Sequence, residues 1–445
     1  MGAPVKTLPK KGLPREEVLA RMETARSGDA KWREGRTWSL VYFGGAEITA
    51  LLKEAYTMFF SENALNPMAF PSLKRFEAEV VAMTAALLGG DDRTVGNMTS
   101  GGSESILMAV KTARDWARAE RPEITEPEMV LPETAHPAFL KAAHYFGVKA
   151  VRTPVTCDWR ADPEAMRRAV TRSTILLVGS APAYPQGTVD PIPEIAALAA
   201  ERGLLCHVDA CLGGFILPFV RRLGYRVPDF DLSVPGVTSI SADVHKYGFA
   251  AKGASVILYR DTGLRRHQYF TFADWCGGLY ASPTMTGTRP GGAIAAAWAV
   301  MNHLGEEGYL ELARISMETA RRLMGGVEAI PELRVMGRPD MTVFAFTSDE
   351  IDVYTLAEVM EKKGWHMDRQ QLPPSLHMMV TPAHAGVADR FLGDLGEAVR
   401  EVAALGPDHQ PEGMAAIYGG MAKMPDRGLV HDFLAEVMDD WTRVE

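Results

Sequence analysis

The 445-residue sequence predicts an α/β protein with a mostly parallel central sheet, helices on both faces of that sheet, and a smaller C-terminal α+β unit. Two observations carry this prediction. From about residue 93 to 260, short runs of β-branched and aliphatic residues alternate with helical patterns, as in parallel sheets that are covered on both faces. After residue 290, a long helical stretch precedes short strands and further helices, and a chain of this length is expected to form two or three domains or subdomains.

Residues 1–60 are predicted to form an N-terminal arm. It contains one amphipathic helix at about 14–27, followed by the irregular stretch EGRTWSLVYFGG. An arm of this kind packs either on a partner subunit or on the core of its own chain. The helical patterns EITALLKEAYTMFF and SLKRFEAEVVAMTAALLG come next, separated by the polar SENALNPMAFP, and the pair Gly89–Gly90 ends the second pattern.

The large domain is predicted to span 61–290. Its strand candidates are TVGNMT, EMVLPE, KAVRTPV, TILLVGSAP, LLCHVDA, VTSISAD and ASVILYR, and its connecting helices are expected at 103–119, 137–146, 162–171 and 193–202. The small domain is predicted at 291–445, with a helix at about 291–326, the strands LRVMG, MTVFAFTS and LHMMVT, and helices at 352–364 and 386–404. In such a fold, the site lies in the loops that follow the carboxyl ends of the parallel strands.

Composition and charge exclude several classes of protein. The formal net charge is −9 and there is no basic tract, so a nucleic-acid partner is not expected. The N-terminus carries no apolar signal-peptide core, and the most apolar windows are too short to span a bilayer. The four cysteines lack CxxC spacing, which favours reduced thiols over disulfides or a metal site. We therefore expect a cytoplasmic enzyme without a transmembrane segment or a bound metal.

Three short stretches carry residue types suited to chemistry. In NMTSGGSESILMAV, glycines and serines precede a long amphipathic helix, and the free N–H groups of a helix N-terminus bind phosphate. The alternative is a plain capping sequence, because Ser100 and Ser103 are both good N-cap residues. In CHVDACLGGF, Asp209 ends an apolar strand, where it either faces a cationic partner or caps the next turn.

The third stretch, SISADVHKYGFAAKG, is a strand that ends in polar residues and continues into a turn with His245 and Lys246. Burial among small residues is expected to lower the pKa of Lys246 and free its amine for covalent chemistry, although a lone loop lysine is usually a surface residue. Asp243 and Tyr247 are interpreted as residues that shape the turn. The order of phosphate turn, strand-end aspartate and turn lysine matches the needs of a pyridoxal phosphate (PLP) site.

The motifs TSGGSES, HVDACLGGF, TSISADVHKYGFAAKGAS, DWCGGLYASPTMTGTRPGG and MAAIYGGMAKMPDR, in this order, resemble those of the sphingosine-1-phosphate lyase family. This family belongs to the group II decarboxylase-like branch of fold-type I PLP enzymes, and the resemblance runs from about residue 37 to the C-terminus. It implies a PLP-dependent retro-aldol cleavage of a phosphorylated long-chain base into a long-chain aldehyde and phosphoethanolamine. The membrane anchor of the eukaryotic members is not found, so a soluble, prokaryotic-type member is expected.

The resemblance also implies roles for particular residues. Lys246 would attach PLP covalently, Asp209 would pair with its pyridine nitrogen, and His136 would stack on its ring. The residues implied for the cofactor phosphate are Gly101, Gly102, Ser103 and His245. Gly287 and Thr288 in TGTRPGG would reach that phosphate across a dimer interface, which implies a homodimer with shared active sites.

On the substrate side, the resemblance implies the lining residues Tyr42, Asn63, Asn66, Tyr184 and Lys252. Lys252 and Tyr184 are expected to handle protons and the substrate phosphate, and the sequence leaves open which of them is the base. The family commonly has a histidine at the position of Asn66. An amide neither titrates near neutral pH nor carries positive charge, so this departure puts a phosphate contact or a proton transfer in question.

Two alternatives stand beside the lyase. The first is an amino-acid decarboxylase of the same fold, which would use the same lysine, aspartate and stacking histidine but break the bond to a carboxylate. The second is a catalytically silent relative that serves as a binding protein. The presence of Lys246, Asp209 and His136 together argues against the second alternative.

Overall fold

The computed structural model describes residues 7–406 and 413–443. Its strands are β1 (Val95–Thr99), β2 (Glu128–Pro132), β3 (Lys149–Thr153), β4 (Thr174–Ser180), β5 (Leu205–Asp209), β6 (Ser239–Ala242), β7 (Ser255–Tyr259), β8 (Phe270–Trp275), β9 (Gly278–Ser282), β10 (Arg334–Val335), β11 (Val343–Thr347), β12 (Asp368–Gln371) and β13 (Pro374–Met379). Its α-helices are α1 (Arg15–Ala25), α2 (Ala46–Met58), α3 (Pro71–Leu87), α4 (Gly102–Glu120), α5 (Ala138–Phe146), α6 (Pro163–Ala169), α7 (Ile192–Arg202), α8 (Leu217–Arg222), α9 (Thr262–Arg265), α10 (Gly291–Glu328), α11 (Val353–Lys362), α12 (Ala388–Leu405), α13 (Gly413–Lys423) and α14 (Arg427–Trp441).

The large sheet has seven strands in the order β1-β7-β6-β5-β4-β2-β3. The pairs β2–β3, β2–β4, β4–β5 and β5–β6 are parallel, while β7 runs antiparallel to both β1 and β6. Strands β4, β5 and β6 are buried along their whole length, as expected for the central strands of a sheet that is covered on both faces. The predicted fold class is therefore confirmed, and the carboxyl ends of β1, β2, β4, β5 and β6 meet at one edge of the sheet.

Helix α10 contributes to both of the large apolar cores. Its apolar residues from Ile294 to Met317 belong to the core of the large sheet, and those from Ala320 to Val327 belong to the core of the antiparallel sheet β10-β11-β13-β12. The helix changes direction at Gly305, whose φ of 55° lies in the left-handed region. The predicted domain limits at 60 and 290 stay predictions. Of the predicted N-terminal arm and small domain, residues 1–6, 407–412 and 444–445 lie outside the described part of the chain.

The N-terminal arm is divided between surface and core. Helix α1 forms where a helix is predicted, but it buries none of its side chains against the rest of the described chain. The expected apolar face therefore has no partner among residues 7–406 and 413–443. Trp38, by contrast, is fully buried in the core of the small sheet, where its ring stacks on His384 with 4.4 Å between centroids.

The structure contains strands that the sequence analysis does not predict. The glycine-rich stretch before residue 290 includes the hairpin β8–β9, which exposes large apolar side chains at Phe270, Phe272, Trp275 and Leu279. Strand β12 has the polar sequence DRQQ, so it shows no apolar alternation. Within residues 7–406 and 413–443, no helix combines the length and the apolar character needed to cross a bilayer.

Candidate active site

The residues predicted to carry chemistry follow the strands of the large sheet. Strand β1 leads into the turn with Gly101, β2 leads to His136, β4 leads to Tyr184, and β5 ends at Asp209. Lys246 lies in the connection that follows β6. Because the carboxyl ends of these strands share one edge of the sheet, their loops converge there.

These loops enclose a cavity of about 530 Å³. The predicted site residues that line it are Tyr42, Gly101, Gly102, Ser103, His136, Tyr184, Asp209, His245, Lys246 and Lys252. Segments that are far apart in the sequence, from the N-terminal arm to the turn after β6, therefore contribute to a single site.

Lys246 is paired with a buried carboxylate in this cavity. Its Nζ lies 3.0 Å from Oδ2 of Asp243, which is only 1% exposed, and Nε2 of His245 lies 3.6 Å from the same oxygen. A carboxylate buried to this extent needs a cationic partner, and Lys246 supplies it. The interpretation of Asp243 as a residue that shapes the turn is therefore incomplete, because its side chain also belongs to the site.

The same pair reverses the expected shift in the pKa of Lys246. Burial alone lowers this pKa, but the nearby negative charges, of which Asp243 is the strongest, outweigh burial, and the pKa is raised. For Asp243, burial alone raises the pKa, yet the charges of Lys246 and His245 outweigh it and hold the pKa below its usual range. The prediction of a lowered lysine pKa is wrong. The amine of Lys246 must therefore lose a proton before it forms a covalent bond.

A buried network holds Asp209 at the end of β5. Its Oδ1 accepts hydrogen bonds from the backbone N–H of Cys211 at 3.1 Å and from the hydroxyl of Ser241 at 3.4 Å. The hydroxyl of Ser241 also lies 3.3 Å from Nε2 of His207, whose pKa is lowered to about 4 by burial. The other carboxylate oxygen, Oδ2, makes no hydrogen bond to a described residue and is available to a ligand.

The first turn of α4 forms the predicted phosphate turn. The N–H groups of Gly102 and Ser103 stand at the start of the helix, where no intrahelical acceptor reaches them. Position 102 must be glycine because a Cβ atom there would lie 2.8 Å from Oδ2 of Asp243 and 2.9 Å from Sγ of Cys211. The absent side chain therefore leaves room beside the Asp243–Lys246 pair.

Glu104, in the same turn, has both carboxylate oxygens engaged. Oε2 accepts from the N–H and from the hydroxyl of Ser100, each at 2.6 Å, and Oε1 accepts from the N–H of Met285 at 2.8 Å. This buried carboxylate therefore links the phosphate turn to the loop that contains Gly287 and Thr288.

His136 presents a neutral ring to the cavity. Its Nδ1 accepts a hydrogen bond from the backbone N–H of Ala138 at 3.1 Å, which fixes the ring at the start of α5. Desolvation lowers the pKa of His136, and the charge of Asp209 opposes this shift only in part. A flat, uncharged imidazole in this position is suited to stacking on an aromatic ring.

Lys252 and Tyr184 differ in how readily they release a proton. The Nζ of Lys252 lies 5.0 Å from the ring centroid of Tyr42. Desolvation lowers the pKa of Lys252 to about 8, and the positive charge of Lys246 adds to the shift. Burial raises the pKa of Tyr184 to about 12, and the charge of Asp368 adds to that shift. Near neutral pH, Lys252 is therefore the better proton acceptor and Tyr184 keeps its proton.

Four predicted residues do not line this cavity. The amide of Asn63 donates to Oγ1 of Thr288 at 3.2 Å, and Gly287 borders a separate surface cavity of about 350 Å³ together with Leu65. The amide oxygen of Asn66 accepts from the backbone N–H groups of the second and third residues after it, so it stabilises a turn on the surface. The proposed contacts of these four residues with cofactor or substrate stay predictions.

The cavity also contains residues that the sequence analysis did not select. Cys211 lies two positions after Asp209, and Asp243 lies three positions before Lys246, so local spacing was a usable signal for both. Met379 comes from β13 in the small sheet, and nothing in its own neighbourhood of the sequence indicates that it reaches this site.

The residues of the cavity fit PLP. The phosphate turn offers free N–H groups, Asp209 offers a carboxylate oxygen for the pyridine nitrogen, and Lys246 offers an amine for the aldehyde. The lack of a side chain at Gly102 allows this turn to approach Asp243 and Cys211, which line the same cavity. Fold and site together define the chain as a PLP-dependent enzyme of fold type I.

Comparisons with known proteins agree with this class. The sequence profile described as “Pyridoxal-dependent decarboxylase conserved domain” matches residues 8–348. The solved glutamate decarboxylase of Lactobacillus brevis superposes with a TM-score of 0.80 over 92% of this chain and 97% of that chain. At 19% sequence identity, this likeness shows a common fold.

More similar relatives define the family. The sphingosine-1-phosphate lyase of Arabidopsis thaliana is 50% identical over 440 residues, which are 97% of this chain and 80% of that protein. Sphingosine-1-phosphate lyase 1 of Rattus norvegicus is 45% identical over 98% of this chain and 77% of that protein. The solved sphingosine-1-phosphate lyase of Burkholderia pseudomallei has a TM-score of 0.91 and 44% identity, covering 99% of this chain and 98% of that chain. The chain belongs to the sphingosine-1-phosphate lyase family.

Proposed function

We propose that this chain cleaves the C2–C3 bond of phosphorylated long-chain amino alcohols such as sphingosine 1-phosphate. The products are a long-chain aldehyde and phosphoethanolamine. The observation that carries this proposal is the convergence of Lys246, Asp209 and the phosphate turn on one cavity in a chain of this family. Lys252 and Tyr184 line the same cavity and differ in proton affinity, which suits a reaction that removes one proton and returns one.

Lys246, Asp209 and His136 would hold and orient the cofactor. When bound, PLP would supply an aldehyde for the amine of Lys246 or of the substrate and an electron sink for the cleavage of the C2–C3 bond. The carboxylate of Asp209 would keep the pyridine nitrogen protonated, and the network from Ser241 to His207 fixes the direction of that carboxylate. His136 would hold the ring in plane by stacking on one face.

Lys252 and Tyr184 would divide the proton transfers. We assign Lys252 as the group that takes the proton from the C3 hydroxyl, because its lowered pKa leaves part of the population neutral near pH 7. Tyr184 keeps its hydroxyl proton at that pH and would donate a hydrogen bond to the oxygen at C3. Lys246, which lines the same cavity, would return a proton to C2 after the bond has broken.

We further propose that the active unit is a homodimer in which one subunit's Gly287–Thr288 loop completes the site of the other. Two features support this arrangement. The loop lies outside the cavity of its own chain, and the neighbouring hairpin exposes Trp275 at 54% and Leu279 at 88%. Exposed apolar side chains of this size mark a surface for another protein, and a second copy of this chain would cover them.

A cytoplasmic location is proposed as well. Cys206 and Cys211 are both buried as free thiols, and Cys211 borders the cavity next to Asp209. Free thiols of this kind are stable in a reducing compartment.

Product analysis distinguishes the proposed reaction from its alternative. The protein reconstituted with PLP is incubated with sphingosine 1-phosphate, and separately with a panel of amino acids. We expect equal amounts of long-chain aldehyde and phosphoethanolamine from the first incubation, and no product from Lys246→Ala. Carbon dioxide from an amino acid, without any aldehyde from the phosphorylated base, would instead establish a decarboxylase of the same fold.

A further inference from the structure

The ring of Tyr184 packs against a histidine of the small sheet. The ring centroids of Tyr184 and His377 are 4.2 Å apart and their planes differ by 23°, which is a stacked arrangement. One face of the phenol is therefore covered by an imidazole, while the residue itself borders the active-site cavity. The hydroxyl of Tyr184 makes no hydrogen bond to a described residue, so packing of the ring is what orients it.

His377 is placed by the alternation of β13. Side chains two positions apart lie on the same face of a strand, and Met379 on that face lines the active-site cavity. His377 is fully buried, and burial lowers its pKa to about 4, so the ring is neutral. A neutral, immobile imidazole is a suitable stacking partner, because it adds no charge that would change with pH near neutrality.

Neighbouring side chains fix the imidazole and the loop of Tyr184 to one another. The amide of Gln370, on β12, lies 3.2 Å from Nδ1 of His377 and donates to the carbonyl of Pro185 at 3.0 Å. The hydroxyl of Ser375 holds the other end of the Gln370 amide at 2.9 Å. Two strands of the small sheet therefore clamp the residue that directly follows Tyr184.

The same loop is pressed against the small sheet at Gly187. The φ of Gly187 is 72°, in the left-handed region, and a Cβ atom on this residue would collide with the carbonyl of Val343 on β11. The loop with Tyr184 therefore cannot move away from the small sheet without losing both the Gln370 contact and this close approach.

We propose that His377 is a positioning residue that holds the phenol of Tyr184 in its productive orientation. It acts through Tyr184 and does not touch the reacting atoms, and this inference rests on the proposed function. The role predicts that removal of the flat ring at 377 lowers kcat, because the proton of Tyr184 is then misplaced in the transition state. It predicts little change in KM or in cofactor affinity, since neither depends on the hydroxyl direction.

Three variants test the role. His377→Leu removes the flat ring, whereas His377→Phe keeps a flat ring and stays informative if the leucine variant folds poorly. His384→Leu is the matched control, because His384 is also a buried, stacked histidine of the small unit but lies against Trp38 and does not line the cavity. We expect kcat to fall about tenfold in His377→Leu and less than threefold in the other two.

A double-mutant cycle shows whether the effect passes through Tyr184. In a Tyr184→Phe background there is no hydroxyl to orient, so His377→Leu is expected to have no further effect on kcat. An equal loss in both backgrounds, or an equal loss in His384→Leu, would overturn the proposal and leave His377 a residue of core packing only.

A readout without turnover separates this inference from the proposed function. 3-Fluorotyrosine placed at position 184 of the protein without added PLP reports ring stacking through its ¹⁹F chemical shift. The shift is expected to change in His377→Leu and to stay near the wild-type value in His384→Leu. An unchanged shift in His377→Leu contradicts the inference, whereas absence of lyase activity in the wild type, with the expected fluorine shifts, contradicts only the proposed function.

Discussion

The cavity around Lys246 and the loop at Gly287–Thr288 are built in opposite ways. The cavity is lined by residues of one chain, and within it Lys246 is paired with Asp243. The loop is held on its own chain by Asn63 and Glu104, yet it presents its tip to a surface flanked by exposed apolar side chains of β8 and β9. One region is lined by the chain's own residues, and the other is proposed to contribute to the site of a second chain.

This difference separates two sources of catalytic power. Lys246, Asp209, His136, Lys252 and Tyr184, which would hold the cofactor ring and move protons, are all placed by the folding of one chain. The residues of the Gly287–Thr288 loop would add contacts that exist only after association. A variant of the first region should inactivate its own site whatever its partner, while a variant of the loop should be rescued by a partner with an intact loop.

The largest expected effect is that of replacing the lysine. Lys246→Ala should lower activity by roughly 10⁴-fold or more, because no other amine in the cavity occupies its place. The absorption band of the bound cofactor at the edge of the visible range should be lost in the same variant. Asp209→Asn, measured in parallel, should keep that band but lose about 10²- to 10³-fold in kcat. A Lys246→Ala protein with wild-type colour and rate would contradict the assigned site.

The second prediction concerns sharing of the site between subunits. A Cβ atom at Gly287 would come no closer than 3.5 Å to another part of the chain, so Gly287→Leu should fold normally but obstruct the neighbouring site. When inactive Gly287→Leu and inactive Lys246→Ala proteins are refolded together, mixed dimers should recover about a quarter of wild-type activity.

The recovery follows because half of a random mixture is mixed dimer, and one of its two sites has both an intact lysine and an intact partner loop. Two copies that carry different affinity tags allow mixed dimers to be isolated before the assay. Isolated mixed dimers without activity would show that the loop acts within its own chain.

The third prediction is a pH profile. If Lys252 accepts the proton of the C3 hydroxyl, kcat/KM should rise as pH increases through about 8, because only the neutral amine can act and its pKa is lowered to about 8. Lys252→Gln should lose about 10²-fold in kcat/KM and lose this rise in the profile. Tyr184→Phe serves as the comparison, and a rise that persists in Lys252→Gln would assign the base elsewhere.

The smallest expected effect is at Asn66. Asn66→His should lower KM for the phosphorylated substrate by about two- to fivefold at pH 6, where the imidazole is charged. The change removes the acceptor for two backbone N–H groups and should cost about 1 kcal/mol of stability. Asn66→Ala is the matched control, since it removes the same acceptor without adding charge. An equal KM in both variants would mean that position 66 does not meet the substrate phosphate.

The sequence predicted those parts of the site that depend on local patterns. Asp209 and the turn at Gly101 stand directly at the ends of strands, and the topology of a parallel sheet brings strand ends together. The shift of the Lys246 pKa was not predictable, because burial and the Asp243 charge oppose each other and only their distances decide the sign. His377 gives no local signal, since it meets Tyr184 only after the small sheet has packed on the large one.

The hairpin β8–β9 shows a similar limit. Its glycines indicate a loop, but pairing across the turn at Cys276–Gly277 produces two strands with exposed apolar residues. Sequence patterns that predict strands rely on one buried face, and both strands here are largely exposed in the single chain. The exposure of both strands prevents their prediction from sequence, and the same exposure suggests that a second copy of the chain covers them.

The central claim is that this site breaks the bond between C2 and C3 of a phosphorylated long-chain base. Sphinganine 1-phosphate carrying ¹³C at both C2 and C3 tests it directly, because the two labels are coupled only while their bond exists. We predict that ¹³C NMR during turnover shows loss of the one-bond coupling and the appearance of separate aldehyde and aminomethyl signals. A substrate that is consumed with the C2–C3 coupling intact would contradict the account.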